Sequence, residues 1–264
     1  MKLPIYQVDA FAARVFAGNP AAVCPLEDWL PDAAMQSIAA ENNLAETAFF
    51  VGGDGDYTIR WFTPVVEIDL CGHATLASGH IVMQHLEPGR SSVRFRTVRA
   101  GDLKVDRDGE LYVLDFPSWP PNPVLTPPAL EQAFAARIEQ VLAARDYLCL
   151  FRDARTVRAL KPDFAALRRL DKAVIASAPG PDIDGGSCDF VSRFFAPTHG
   201  IDEDPVTGSA HCILTPYWAQ RLGKTRLTAR QVSPRGGELA LELKGERVRI
   251  GGRVAPYLEG TIDV

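Results

Sequence analysis

The sequence predicts an α+β protein built from two related lobes. Three observations lead there. A strand, an aromatic-x-Pro corner, an acidic loop and a glycine-led apolar helix follow one another twice; runs of short strand-like segments surround each helix; and a proline-rich stretch separates the two copies. The first copy reads YTIRWFTPVVEIDLCGHATLASGHIVMQH from Tyr57, and the second reads DFVSRFFAPTHGIDEDPVTGSAHCILTPYW from Asp189. The corners are Phe62-Thr63-Pro64 and Phe195-Ala196-Pro197, and the helix glycines are Gly72 and Gly208. Ten positions separate Phe62 from Gly72 and thirteen separate Phe195 from Gly208, so the second loop is three residues longer.

In chain order, residues 5–11 alternate as a strand, and Gly18-Asn19-Pro20 forms a turn before the apolar run 21–24. Asn19 is either a turn residue alone or a brace for a site. Pro31 opens a helix in which Met35, Ile38 and Ala39 have core spacing. Residues 44–51 are an apolar strand carrying one acid, Glu46. Hairpin and meander strands follow at 57–62, 93–97, 103–106 and 111–116, with the first glycine-led helix running to about His85. Pro117, Pro120, Pro121 and Pro123 exclude helix or central strand and mark a linker. Beyond it we expect a helix over 129–144, strands at 147–151 and 156–160, a short helix at 164–170 and strands at 173–178 and 188–195. The second capped helix covers 209–222, and strands at 227–232, 238–243 and 248–250 close the sheet. The expected lobes are 1–118 and 119–250, with 251–264 returning to the first.

A chain of 264 residues is long enough for two cores, and 47% hydrophobic with 23% charged residues reads as an ordinary globular protein. A net charge of −5 supplies no basic field for nucleic acid or an anionic membrane. The N-terminal stretch has no long apolar core of a signal peptide and no run of eighteen apolar residues occurs, so a cytoplasmic protein is expected. Cys24, Cys71, Cys149, Cys188 and Cys212 are odd in number and scattered, forming neither a disulfide framework nor a metal knuckle. The histidines lack metal spacing, and no GxGxxG follows a strand; Gly180-Pro181 and Gly185-Gly186 lack that frame.

The available chemistry gathers at the two glycine-led helices. The first turn of a helix has backbone N–H groups without intrahelical partners, and glycine lets a carboxylate approach them. If the lobes pack with pseudo-twofold symmetry, both turns face one cleft. Glu46 lies opposite in facing to Ala45 and Thr47, and either looks into solvent or projects into a dry cleft. His73 is either a first-turn surface residue or a donor and proton shuttle. Asp204 is either a turn or cap residue or part of the site, and Ser209 and the loop acid Asp69 are the other polar groups expected near the cleft.

These segments together resemble the PhzF-like phenazine-biosynthesis isomerases, relatives of diaminopimelate epimerase. The resemblance runs through Gly18-Asn19-Pro20, Met35-Gln36, Asn43-Leu44-Ala45-Glu46-Thr47-Ala48, Cys71-Gly72-His73-Ala74-Thr75 and Asp204-Pro205-Val206-Thr207-Gly208-Ser209-Ala210, nearly the whole chain. It implies a diaminopimelate epimerase-like fold, with each lobe a curved sheet around a central helix and the active site between lobes. It also implies that Glu46 moves the proton, that His73 and Asp204 support it, and that Asn19, Gly72, Gly208 and Ser209 bind substrate. A homodimer acting on a small carboxylic acid, with no metal or organic cofactor, is the further implication.

Two departures are visible. Ala45 stands where the family commonly has serine, which removes one hydroxyl donor. The epimerases exchange protons with a cysteine pair, whereas here Cys71 at the first turn has no matching thiol in Thr207-Gly208-Ser209, and Cys212 is expected to be packing. A single-carboxylate isomerase is therefore expected, with an amino-acid epimerase or a non-catalytic small-molecule binder as alternatives.

Overall fold

The computed structural model describes residues 1–180 and 187–264; Pro181 and Gly185-Gly186, named above, lie outside the described residues. The chain forms two compact units, Met1–Asp115 with Gly251–Val264, and Phe116–Ile250.

In the first unit, β1 (Lys2–Ala10) lies antiparallel to β2 (Asn19–Leu26). Helix α1 (Asp32–Asn42) then crosses over, so that β3 (Glu46–Gly53) joins β2 in parallel. Asn43 ends α1 in the left-handed region, φ 49°, with its N–H on the Ala39 carbonyl. That conformation, which asparagine tolerates, redirects the chain into β3. Strand β4 (Asp56–Phe62) returns antiparallel to β3, and β5 (Glu67–Ile68) folds back on its end. Helix α2 (Gly72–Ile81) follows and runs into a π-helical turn, Val82–Leu86. Then β6 (Ser92–Arg96) pairs in parallel with β4, and β7 (Asp102–Asp108) and β8 (Leu111–Pro117) continue as a meander.

Helix α2 is buried from His73 to Ile81 and packs against β1, β2, β3, β6 and β7. A helix without a polar face has no stable place except inside, which is why this segment becomes the centre of the unit. Gly79 lets it approach β7: a Cβ there would come within 2.6 Å of Val105 Cγ1. On the other face of the strands, Met35 and Ile38 of α1 pack with Cys24, Phe49 and Phe62.

The second unit repeats the connection order. Strand β9 (Asn122–Pro123), helix α3 (Pro128–Ala133) and strand β10 (Gln140–Ala143) lead into β11 (Tyr147–Leu150). Helices α4 (Ala154–Ala159) and α5 (Phe164–Leu167) cross to β12 (Val174–Pro179), parallel to β11. Strand β13 (Phe190–Ala196) is antiparallel to β12, and β14 (Ile201–Asp204) folds back on it after a 3-10 turn, Pro197–His199. Central helix α6 (Gly208–Leu222) leads to β15 (Arg226–Gln231), parallel to β13. Parallel, antiparallel, short return, helix, parallel is therefore the plan of both units, and the 3-10 turn belongs to the longer second loop. Strands β16 (Gly237–Lys244) and β17 (Arg247–Gly252) follow; β18 (Val254–Asp263) belongs to the first unit and lies antiparallel to β1.

Two elements differ from expectation. Residues 129–144 form helix only to Ala133, and 140–143 are strand β10, paired with β9 and β11. Val141 and Leu142 are adjacent and both buried, so sheet pairing outweighs the helix-forming alanines and glutamates. Residues 154–159 are a helix, not a strand, because the Asp153 carboxylate accepts the Thr156 N–H at 2.8 Å and caps it. Among the described residues, no helix is long and apolar enough to cross a membrane.

Candidate active site

Each unit carries a polar cluster at the start of its central helix. In the first, the sequence places three elements together. Gly18, at φ 67°, is packed so tightly that a Cβ would lie 2.2 Å from the Ala10 carbonyl oxygen, so glycine is required to bring Asn19 into line at the start of β2. Glu46 begins β3, beside Ala21 of β2. Cys71, in extended conformation, is the residue before α2, and its carbonyl accepts both the Thr75 N–H and the Thr75 hydroxyl. His73 follows in the first turn.

His73 joins them. Its Nε2 lies 3.1 Å from Glu46 Oε2, with the histidine side chain 6% and the glutamate side chain 15% exposed. The two atoms lie within ion-pair distance, and among the described residues neither has another hydrogen-bond partner. On the other side of the ring, Nδ1 lies 3.2 Å from Asn19 Nδ2 and 3.5 Å from Cys71 Sγ. Glu46 therefore faces His73 rather than open solvent. Asn19, completely buried, is more than a turn residue.

Burial disfavours the charged form of His73, but the neighbouring Cys71 and Glu46 overcome this and raise its pKa well above the ordinary value. Burial is also the main reason that the Cys71 thiol is pushed up to about 11. Near neutrality Cys71 is accordingly a thiol.

The donor atoms of Glu46, Cys71 and His73 lie within 4.8 Å of one another, and a carboxylate, thiol and imidazole are a donor set for zinc-like ions. The thiol, however, sits on Nδ1 and the carboxylate on Nε2. One ion can take only one ring nitrogen, so the arrangement fits an imidazole bridging two groups better than a chelate.

The second cluster surrounds Asp204. Thr207 donates its hydroxyl to Asp204 Oδ2 at 2.5 Å, Gln231 Nε2 donates to the Asp204 carbonyl at 2.7 Å, and Gln231 Oε1 accepts the Thr207 N–H at 2.9 Å. Gly208 is buried as the first residue of α6, and Ser209, half-buried, is the next. His211 donates Nδ1–H to the Thr207 carbonyl at 2.8 Å. Asp69, in contrast, is exposed and paired with Arg99 at 2.9 Å, which removes it from the candidates. Cys212 is packed inside, and burial pushes its thiol up to about 12.

Thr207 and Gln231 were not singled out in the sequence. A signal was present for Gln231: Leu227, Ala229 and Gln231 share one face of β15, and all three are buried. A glutamine on the core face of a strand needs internal partners.

Two units of one topology, each with a helix-led polar cluster, define an α+β protein built on a repeated plan. The sequence signature of the phenazine biosynthesis-like PhzC-PhzF family matches residues 8–260, and the chain belongs to that family. It is 52% identical to an uncharacterized isomerase of Pseudomonas aeruginosa over 99% of each chain. A PhzF-family phenazine biosynthesis protein from Enterococcus faecalis superposes with a TM-score of 0.95 at 47% identity, covering all of both chains. A protein named a predicted epimerase, also from Pseudomonas aeruginosa, shares the fold at a TM-score of 0.72, with 21% identity and 99% of each chain covered. The class of the chain is thus that of the PhzF-like isomerases.

Proposed function

We propose that this protein is a cofactor-independent isomerase that moves a proton between carbons of a small unsaturated or cyclic carboxylic acid, with Glu46 as acid and base. The observation that carries the reading is the Glu46–His73 contact: a largely buried carboxylate whose Oε2 lies 3.1 Å from an imidazole nitrogen and has no other hydrogen-bond partner among the described residues. A carboxylate not fully committed to a partner keeps a lone pair for a substrate proton.

In this mechanism Glu46 takes a proton from a carbon next to an activating double bond or carboxyl group, leaving the electron pair delocalised over that system. The protonated Glu46 then returns the proton to a different carbon. His73 offsets the changing charge on Glu46, and the helix start at Gly72 offers backbone donors to a substrate carboxylate. Asp204, Gly208 and Ser209 are proposed to hold substrate polar groups, as the family resemblance implies; Asn19 acts through His73.

Incubation of candidate acids in deuterated water tests the reading. Wild-type protein is expected to incorporate deuterium at carbon while forming an isomer. Glu46→Gln is expected to keep fold and binding but lose exchange by about a hundredfold or more. Near-full exchange in that variant would reject the role of Glu46. The epimerase alternative requires a second acid or base at Cys71; the high thiol pKa speaks against an easily formed thiolate there. We further propose a homodimer. Phe16, Tyr257 and Leu258 leave apolar surface on the first unit that a subunit contact would cover. Sedimentation at micromolar concentration should give twice 28.8 kDa, and a monomer would contradict it.

A further inference from the structure

His73 must be held by its second nitrogen if the first is to face Glu46. Two groups meet Nδ1: the Asn19 amide nitrogen at 3.2 Å and the Cys71 sulfur at 3.5 Å. They do different things. An amide N–H donates to a bare Nδ1, which suits the neutral ring, but it cannot accept a proton from that nitrogen. When the ring becomes charged, Nδ1 carries a proton and needs an acceptor. In the amide orientation of this structure, the sulfur is the group beside Nδ1 that supplies one. Cys71 is fixed for this duty by its place before α2, where its carbonyl is held by Thr75. It is 5% exposed, so water does not readily substitute for it.

We propose that Cys71 is a positioning residue for His73: its sulfur accepts a hydrogen bond from the Nδ1–H of the charged ring and so lets His73 alternate between neutral and charged forms without turning away from Glu46. The role deepens the isomerase reading and rests on it for its catalytic meaning. It also extends beyond simple packing, because the sulfur serves the charged ring as acceptor while the Asn19 amide serves the neutral ring as donor. The titratable groups facing the ring are Glu46 from β3 and Cys71 itself.

The test follows the His73 ring nitrogens by NMR in full-length protein labelled with 15N-histidine, without substrate, across the titration of the imidazole; His73→Gln assigns the signal. Cys71→Ala is expected to move the His73 titration midpoint downward, because the charged ring loses an acceptor. Cys71→Ser, which restores an acceptor, is expected to recover most of the loss. An unchanged midpoint in Cys71→Ala would overturn the proposal, as would a fall that serine does not reverse. Should the alanine variant fail to fold, the wild-type spectrum still decides: a His73 ring that never carries a proton on Nδ1 at any pH is incompatible with the role. None of these readouts uses the reaction, so they fail or succeed separately from the Glu46→Gln exchange experiment. With an exchanging acid in hand, Cys71→Ala should lower kcat about tenfold with little change in KM.

Discussion

Gln231 reaches across from β15 to hold Asp204: its side-chain N–H donates to the Asp204 carbonyl at 2.7 Å while its oxygen accepts the Thr207 N–H at 2.9 Å. One side chain thereby fixes the acid and the residue that opens α6. Gln231→Leu leaves a buried N–H and a buried carbonyl without these partners, and is expected to cost about 2–3 kcal/mol, since each unsatisfied buried group costs on the order of 1–3 kcal/mol. Urea unfolding of the variant checks this; a loss under about 0.5 kcal/mol, the range of an ordinary surface substitution, would show that the brace is dispensable.

His211 and His80 should make the protein sensitive to acid. Burial lowers both to about 4; for His80, the neighbouring His85 and Arg107 add to the effect. A histidine with a lowered folded pKa stabilises fully above its unfolded value and loses that contribution as pH falls toward the folded one. The window is therefore about 6.5 down to about 4, worth at most about 3 kcal/mol for each group at 1.36 kcal/mol per pKa unit. Unfolding free energies of His211→Gln, measured at points through this window, are expected to fall less steeply than those of wild type. An identical slope would mean that His211 is not buried in its neutral form.

His73 works in the opposite sense. Its folded pKa is raised, so its contribution is complete below the ordinary imidazole value and disappears as pH rises through the folded value. Glu46→Gln removes the neighbouring carboxylate and should flatten the fall in stability on the alkaline side of about pH 6.5, before thiols begin to titrate. Denaturant titrations of the two proteins at mildly alkaline pH would show the difference, and equal slopes would contradict the ion pair.

Gly79 is the point of closest approach between α2 and β7. Alanine gains about 1 kcal/mol of helix propensity, but its Cβ would meet Val105 at 2.6 Å. Overpacking of this kind costs on the order of 1–3 kcal/mol. Gly79→Ala should therefore be net destabilising, and Gly79→Ala with Val105→Ala should recover part of the loss. Thermal melts of the single and double variants check this; additive losses would place the strain elsewhere.

Much of the architecture could be read from residue order. The apolar segments after Gly72 and Gly208 have no polar face, so each had to be the buried centre of its own unit, and the repeated corner placed strands beside them. The facing of Glu46 could not be read in the same way. Period two assigns a side chain to one face of β3, yet what covers that face is decided by Asn19 and His73, 27 positions away on either side. The region after the linker failed for a different reason. Its alanines and glutamates favour helix locally, whereas Val141 and Leu142 gain more by joining a strand pair, and such long-range pairing leaves no local trace. At 154–159 the β-branched Thr156 and Val157 hid a helix that the preceding Asp153 had announced.

The pairing of β1 with β18 has a bearing on how the molecule assembles during translation. Residues 116–250 emerge as an unbroken block, whereas β1, made before that block, waits for β18, made after it. Until then the backbone groups that bind β18 are bare, and a nascent chain halted at that stage would offer neighbours a strand edge to pair with.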